Sequence, residues 1–217
     1  MTENLNKYIE HTLLKQDATM ADLRKTFEEA KVHNFFGVCV NPCYVQEAKK
    51  SLKDTEVRIV TVIGFPLGAN TTETKIFETI NAVRDGADEI DMVINVTKVK
   101  DKETDYIVDE IRQIKAACQG HNLKVIIETD LLTKDEIVYA CECAIKGGAD
   151  FVKTSTGFVK GGVGAKVEDV ELMHKTVASA GLRVKASGGI RDKQTALDMI
   201  KAGAVRLGTS SGVKIVE

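Results

Sequence analysis

Two lysines in this sequence stand where apolar residues are expected. Lys153 follows Phe151-Val152 in FVKTSTG (151–157), and Lys185 lies in RVKASGG (183–189). Each run opens like a buried strand and closes in small polar residues and glycine. A charge in so apolar a strand is costly to bury unless it is paired or used. The lysines are 32 residues apart, one strand–helix repeat, which sets them on neighbouring strands roughly 4.8 Å apart. Where both point the same way, two ammonium groups meet. Like charge and desolvation each disfavour the charged form. One amine would then be partly neutral near physiological pH and nucleophilic, the condition for a lysine that forms a Schiff base with a carbonyl. Asp91, inside EIDMVIN (89–95), is the natural third group, a carboxylate able to pass protons through a water or hydroxyl. The blander alternative is that each lysine pairs with a carboxylate or snorkels its amine to water, with Asp91 as a simple bridging partner. Glu128, near the end of KVIIET (124–129), is a further charge of this kind.

A second constellation is shaped for phosphate. Ser187-Gly188-Gly189-Ile190 follows the strand of Lys185, and Gly208-Thr209-Ser210-Ser211-Gly212 follows the last strand. Glycines expose backbone N–H groups and small hydroxyls add donors. The expected ligand carries a phosphate at one end and meets Lys153 at the other.

These residues need elements to hold them. Short Val- and Ile-rich runs recur at 36–40, 57–65, 87–96, 123–129, 149–154, 182–187 and 204–209, the pattern of parallel strands buried on both faces. Amphipathic helical patterns lie between them. Thr19 through Asp22 and Thr133 through Glu136 read as capping boxes that start helices. The helices tend to end in Gly-Ala, as at Gly148-Ala149. The strand–helix alternation implies a parallel α/β architecture in one domain spanning 1–217. Seven clear strands leave two arrangements open: a doubly wound sheet, or a (β/α)8 TIM barrel whose atypical first strand is Tyr8–Thr12. The first strand has no G-x-G-x-x-G turn of the nucleotide-binding kind. The candidate residues sit at the C-terminal ends of several strands, where barrel active sites lie. Counting Tyr8–Thr12 puts the glycine loops after strands seven and eight, the usual phosphate position of the barrel.

Composition narrows the partners. The 217 residues include 43% hydrophobic and 29% charged, with a net charge of −2. No basic surplus exists to neutralise a nucleic acid, so that partner is not expected. No run approaches a membrane span, and the N-terminus has no signal-like apolar core, so a cytoplasmic location is expected. Five cysteines and four scattered histidines lack zinc-site spacing, so no metal is expected.

The sequence resembles the 2-deoxyribose-5-phosphate aldolases, class I aldolases on a TIM barrel. The resemblance spans nearly the whole chain, through HTLLK (11–15), VCVNP (38–42), VIGFPLGANTTETK (62–75), GADEIDMVIN (86–95), KVIIET (124–129), GADFVKTSTGF (148–158), VKASGGI (184–190) and LGTSSG (207–212). It implies that Lys153 forms the Schiff base, that Lys185 perturbs its pKa, and that Asp91 assists proton transfer. It also implies that Gly157, Gly188, Gly189, Gly208, Ser210 and Ser211 surround a sugar phosphate. Cys39 matches a family cysteine near the pocket. The family needs no cofactor and forms homodimers or larger homo-oligomers. The chain departs from the pattern in three places, one being that some members carry a C-terminal tyrosine that reaches the site, whereas this sequence has no tyrosine after Tyr139. Glu10 stands where an aspartate is common, expected to alter contacts at the barrel mouth. Phe158 stands where some members carry a phosphate-binding lysine, leaving Lys160 or main-chain groups to take that part. Two other readings fit the residues: a phosphate-binding barrel isomerase using the lysines as acid, base or clamp, and a sugar-phosphate binding protein without catalysis.

Overall fold

The computed structural model describes residues 4–217. Eight parallel strands form a closed barrel in sequence order. They are β1 (Ile9–Leu13), β2 (Gly37–Val40), β3 (Arg58–Ile63), β4 (Glu89–Val93), β5 (Asn122–Ile126), β6 (Phe151–Lys153), β7 (Arg183–Ser187) and β8 (Ala204–Thr209). β1 supplies the strand that the alternation lacked. It pairs with β2 on one side and β8 on the other, so the (β/α)8 barrel is formed and an open sheet is ruled out.

The helices follow in chain order: α1 (Met20–Val32), α2 (Val45–Ser51), α3 (Thr72–Asp85), α4 (Val96–Lys100), α5 (Thr104–Ala117), α6 (Lys134–Gly147), α7 (Val167–Val177), α8 (Lys193–Lys201) and α9 (Gly212–Val216). Both expected capping boxes are present, at Thr19 for α1 and Thr133 for α6. Each threonine side chain accepts from the amide three residues on, and the acid there reaches back. Among the described residues no helix is long and apolar enough to cross a membrane.

Strand parity divides the barrel into two layers. One parity faces the helices: Val38, Val40, Ile90, Met92, Leu123, Val125, Val152, Val184, Ala186 and Leu207 belong to the large outer core. The other parity faces inward. On β2 and β3 it gives Cys39, Val60 and Val62, a small separate cluster with Leu14, against which Phe65 packs. On the remaining strands the inner parity brings buried charge: Glu10, Glu89, Asp91, Lys124, Lys153 and Lys185. The barrel interior is therefore apolar on the β2–β3 side, and elsewhere it holds the charged groups beside Val93, Ile126 and Phe151.

A second buried pair lies between the barrel and the helices. Lys75 on α3 and Glu110 on α5 are 0% and 1% exposed. Lys75 Nζ donates to Glu110 Oε2 at 3.0 Å and to the Val93 carbonyl at 3.0 Å, tying α5 to the end of β4.

β6 is shorter than the 149–154 run that its composition suggests. At Thr154 the main chain still bonds to both sides, its amide donating to the Lys185 carbonyl and its carbonyl accepting from the Thr129 amide, and side-chain bonds are added. The Thr154 hydroxyl donates to the Ser187 carbonyl at 3.0 Å and accepts from the Ser187 amide at 2.9 Å.

Candidate active site

Lys153 and Lys185 are direct partners in the β6–β7 register. The neighbour relation inferred from their spacing is thus realised. The two amines do not face each other bare. Asp91 Oδ2 accepts from Lys153 Nζ at 2.8 Å and from Lys185 Nζ at 2.7 Å. The carboxylate bridges both lysines and is itself fully buried.

Behind these three lies a network that the sequence did not reveal. Lys124, opposite Asp91 in the β4–β5 register, donates to Asp91 Oδ1 at 2.9 Å and meets Glu89 Oε2 at 2.5 Å. Glu10 pairs with Lys185. The expectation that Glu10 acts at the barrel mouth is therefore corrected: it is fully buried inside the barrel. Its register neighbours are Gly37 and Gly208, which leave room for a long carboxylate. A Cβ on Gly208 would come within 3.1 Å of Lys185 Cε, so that glycine also clears the path of the lysine.

The electrostatics correct the expectation of two repelling amines. Burial works to drive the Lys185 ammonium down, but the Asp91 and Glu10 carboxylates outweigh it and hold its pKa above the ordinary lysine value. Burial likewise opposes ionised Asp91, yet Lys124, Lys153 and Lys185 together hold it well below the usual carboxylate range. Lys185 rests protonated and Asp91 rests ionised. The physical reason is charge balance: carboxylates from β1 and β4 interleave with amines from β5, β6 and β7.

Above the network a cavity of about 730 Å³ opens at the C-terminal ends of the strands. Lys153 lines it. Asp91 and Lys185 do not; both are fully buried beneath. Gly157, Gly188, Gly189, Gly208 and Ser210 line the same cavity, while Ser211 does not. The Ser211 amide instead donates to Thr209 Oγ1 at 2.9 Å. Cys39 is fully buried and burial pushes its thiol up.

The glycine wall is held by interlocked loops. The Ser187 hydroxyl donates to the Ser155 carbonyl at 2.6 Å. Glu128 takes the Thr156 amide at 3.1 Å and also its hydroxyl. Asp130 takes the Gly164 amide at 2.7 Å. Gly189 has φ +75°, and a Cβ there would lie 2.3 Å from the Val163 carbonyl oxygen. Only glycine lets the 157–166 segment approach that closely.

Phe158 lines the cavity and meets Phe65 edge-on, with ring centroids 5.1 Å apart. Lys160 is exposed and does not line the cavity. The cations that do, besides Lys153, are Lys15 and Arg191. Arg191 directly follows the Ser-Gly-Gly-Ile turn, and that adjacency to a glycine loop was the available signal. Among the described residues no group of three or more His, Cys, Asp or Glu could hold a metal ion.

A closed parallel barrel with an amine at the floor of a cavity, over a paired acid and base, defines an enzyme of the (β/α)8 class. The chain belongs to the DeoC/LacD aldolase family, whose sequence profile matches residues 5–217. It is 57% identical over 213 residues to a deoxyribose-phosphate aldolase of Finegoldia magna, covering 98% of this chain and 99% of that one. A Geobacillus deoxyribose-phosphate aldolase is 57% identical over 218 residues, covering 100% and 96%. The tetrameric deoxyribose phosphate aldolase of Aeropyrum pernix superposes with a TM-score of 0.91 at 32% identity, covering 100% of this chain and 91% of that one.

Proposed function

We propose that the protein catalyses reversible aldol cleavage of 2-deoxy-D-ribose 5-phosphate to D-glyceraldehyde 3-phosphate and acetaldehyde, through a Schiff base on Lys153. One observation carries this reading: of the lysines in the buried network, Lys153 alone reaches the cavity.

The Lys153 amine attacks the aldehyde carbon of the open-chain sugar, and loss of water leaves a protonated imine. That imine draws the electron pair of the bond between carbons two and three. As the bond breaks, the hydroxyl on carbon three gives up its proton and becomes the aldehyde of glyceraldehyde 3-phosphate. The enamine left on Lys153 is protonated at carbon two, and hydrolysis frees acetaldehyde and the amine. Lys185 begins loaded with a proton and Asp91 begins ionised, so the pair holds an acid and a base ready in one place. Acting with water, they move the protons of these steps.

The phosphate end lies against the main-chain wall of Gly157, Gly188, Gly189 and Gly208, with the hydroxyl of Ser210. Ser211 supports that wall by closing its turn onto Thr209. The activity belongs to the breakdown of deoxyribonucleosides in the cytoplasm. The Aeropyrum pernix tetramer supports a homodimer or larger assembly.

Borohydride reduction in the presence of acetaldehyde tests the reading. The adduct is expected on Lys153 by peptide mass mapping. A Lys153→Ala protein that still captured a full equivalent of label would refute the assignment.

A further inference from the structure

Asp91 has two carboxylate oxygens and three lysine partners. Two amines facing a free carboxylate would take one oxygen each. Here the division is unequal. Oδ2 carries both Lys153, at 2.8 Å, and Lys185, at 2.7 Å, while Oδ1 is occupied by Lys124 at 2.9 Å. Lys124 is fully buried and does not line the cavity, so it makes no contact with a substrate.

We infer that Lys124 is a positioning residue, holding Asp91 by Oδ1 so that one oxygen, Oδ2, is presented to Lys153 and Lys185 together. This rests on the aldolase reading and deepens it. With both amines on one oxygen, a proton passes between them across a single atom, and the carboxylate does not turn. Releasing Oδ1 lets Asp91 rotate about its Cβ–Cγ bond and deal one oxygen to each amine, which breaks that path.

The titratable groups around Asp91 come from six of the eight strands: Lys124 on β5, Lys153 on β6, Lys185 on β7, Glu89 on its own strand, Glu10 from β1 and Cys39 from β2. Lys124 exerts the largest purely Coulombic pull of the three lysines in keeping Asp91 ionised, and Lys153 adds a hydrogen bond to its own pull. Its loss raises the Asp91 pKa, which moves the acid limb of the pH–rate profile upward.

Lys124 also meets Glu89 at 2.5 Å. A purely structural role would be to neutralise that buried acid. The two roles separate in a panel of Lys124→Met, Lys124→Met/Glu89→Gln, Glu89→Gln and Lys124→Arg. Each variant is measured for its urea midpoint, its kcat and KM on 2-deoxyribose 5-phosphate, and its pH profile.

The double variant is expected to regain most of the stability that Lys124→Met loses, while its kcat stays down by about 100-fold with KM little changed. Its acid limb is expected to lie about one pH unit or more above that of wild type. Glu89→Gln alone keeps the grip on Asp91 and loses far less activity than Lys124→Met. Lys124→Arg, which keeps a donor for Oδ1, regains part of the lost kcat. Recovery of kcat together with stability in the double variant overturns the inference. So does an arginine variant that is folded and no faster than the methionine one. Wild-type trapping of acetaldehyde on Lys153 is run alongside: its absence refutes the aldolase reading, and its presence assigns any failure of the pattern to Lys124 alone.

Discussion

Replacing Lys75 by methionine strands the Glu110 carboxylate in the layer between α3 and α5. In the wild type Lys75 and Glu110 are 0% and 1% exposed, joined at 3.0 Å. Breaking one side of such a pair costs about 3–5 kcal/mol, because the remaining charge is buried without a partner. Total stability of domains is about 5–15 kcal/mol, so the loss is a large share. For a chain of this length it lowers the melting temperature by about 6–20 °C. The pH dependence follows from Glu110, whose pKa burial already raises even against the pull of Lys75. Without Lys75 it rises further. A carboxyl whose folded pKa lies above its unfolded one costs stability above the unfolded value, and that cost fades as pH falls through the folded one. The deficit of Lys75→Met is therefore greatest where Glu110 is ionised and Lys75 of the wild type is still charged, and shrinks on acidification. Urea unfolding followed by circular dichroism across a pH series measures this. Lys75→Met/Glu110→Gln removes the stranded charge and recovers most of the loss. A single variant that loses less than about 1 kcal/mol, or a double variant no more stable than the single, refutes the reasoning.

Other outcomes follow from the site. Arg191→Gln removes a cation from the cavity wall and is expected to raise KM for the phosphorylated sugar by about 10-fold or more, with little change for 2-deoxyribose itself. Steady-state kinetics on the two sugars checks it, and an equal effect on both removes Arg191 from the phosphate end. Asp91, held well below the ordinary carboxylate range, stabilises the fold above its unfolded pKa of about 3.9. That contribution is lost as pH falls through the folded value. The stability gap between wild type and Asp91→Asn, measured in urea, should narrow steadily on acidification below about pH 4; a gap independent of pH overturns the assignment.

Much of the barrel is legible because its signals are local. Thr133 and Glu136 cap α6 with no help from elsewhere in the chain, and a buried parallel strand declares itself by its valines. The spacing of Lys153 and Lys185 also reads directly, since one repeat equals one strand step. Lys124 escaped notice although it heads KVIIET and stands 33 residues after Asp91, the same kind of repeat. A single lysine opening a strand resembles a flanking charge, and only the register with Asp91 distinguishes it. Glu10 was harder still. Its partner Lys185 is 175 residues away, and the contact exists because β1 closes the barrel against β8. Parity gives the face of each side chain and not its partner. The choice between two bare amines and amines bridged by Asp91 stayed open for that reason: the bridging carboxylate comes from β4, and nothing within FVKTSTG or RVKASGG decides between the two.

The stacking of the two polar regions has a consequence for how such a protein can diverge. The ionic network is built from strand residues inside the barrel, and the substrate wall from loops above it, with Lys153 as their point of contact. On the proposed aldolase reading, substitutions at Phe158, Ser210 or Arg191, which line the cavity, would alter what is admitted and leave the buried setting of the amine intact. Reactivity and substrate range are thereby separately heritable, and a lineage can try new aldehydes by editing its rim while the chemistry below is carried along unchanged.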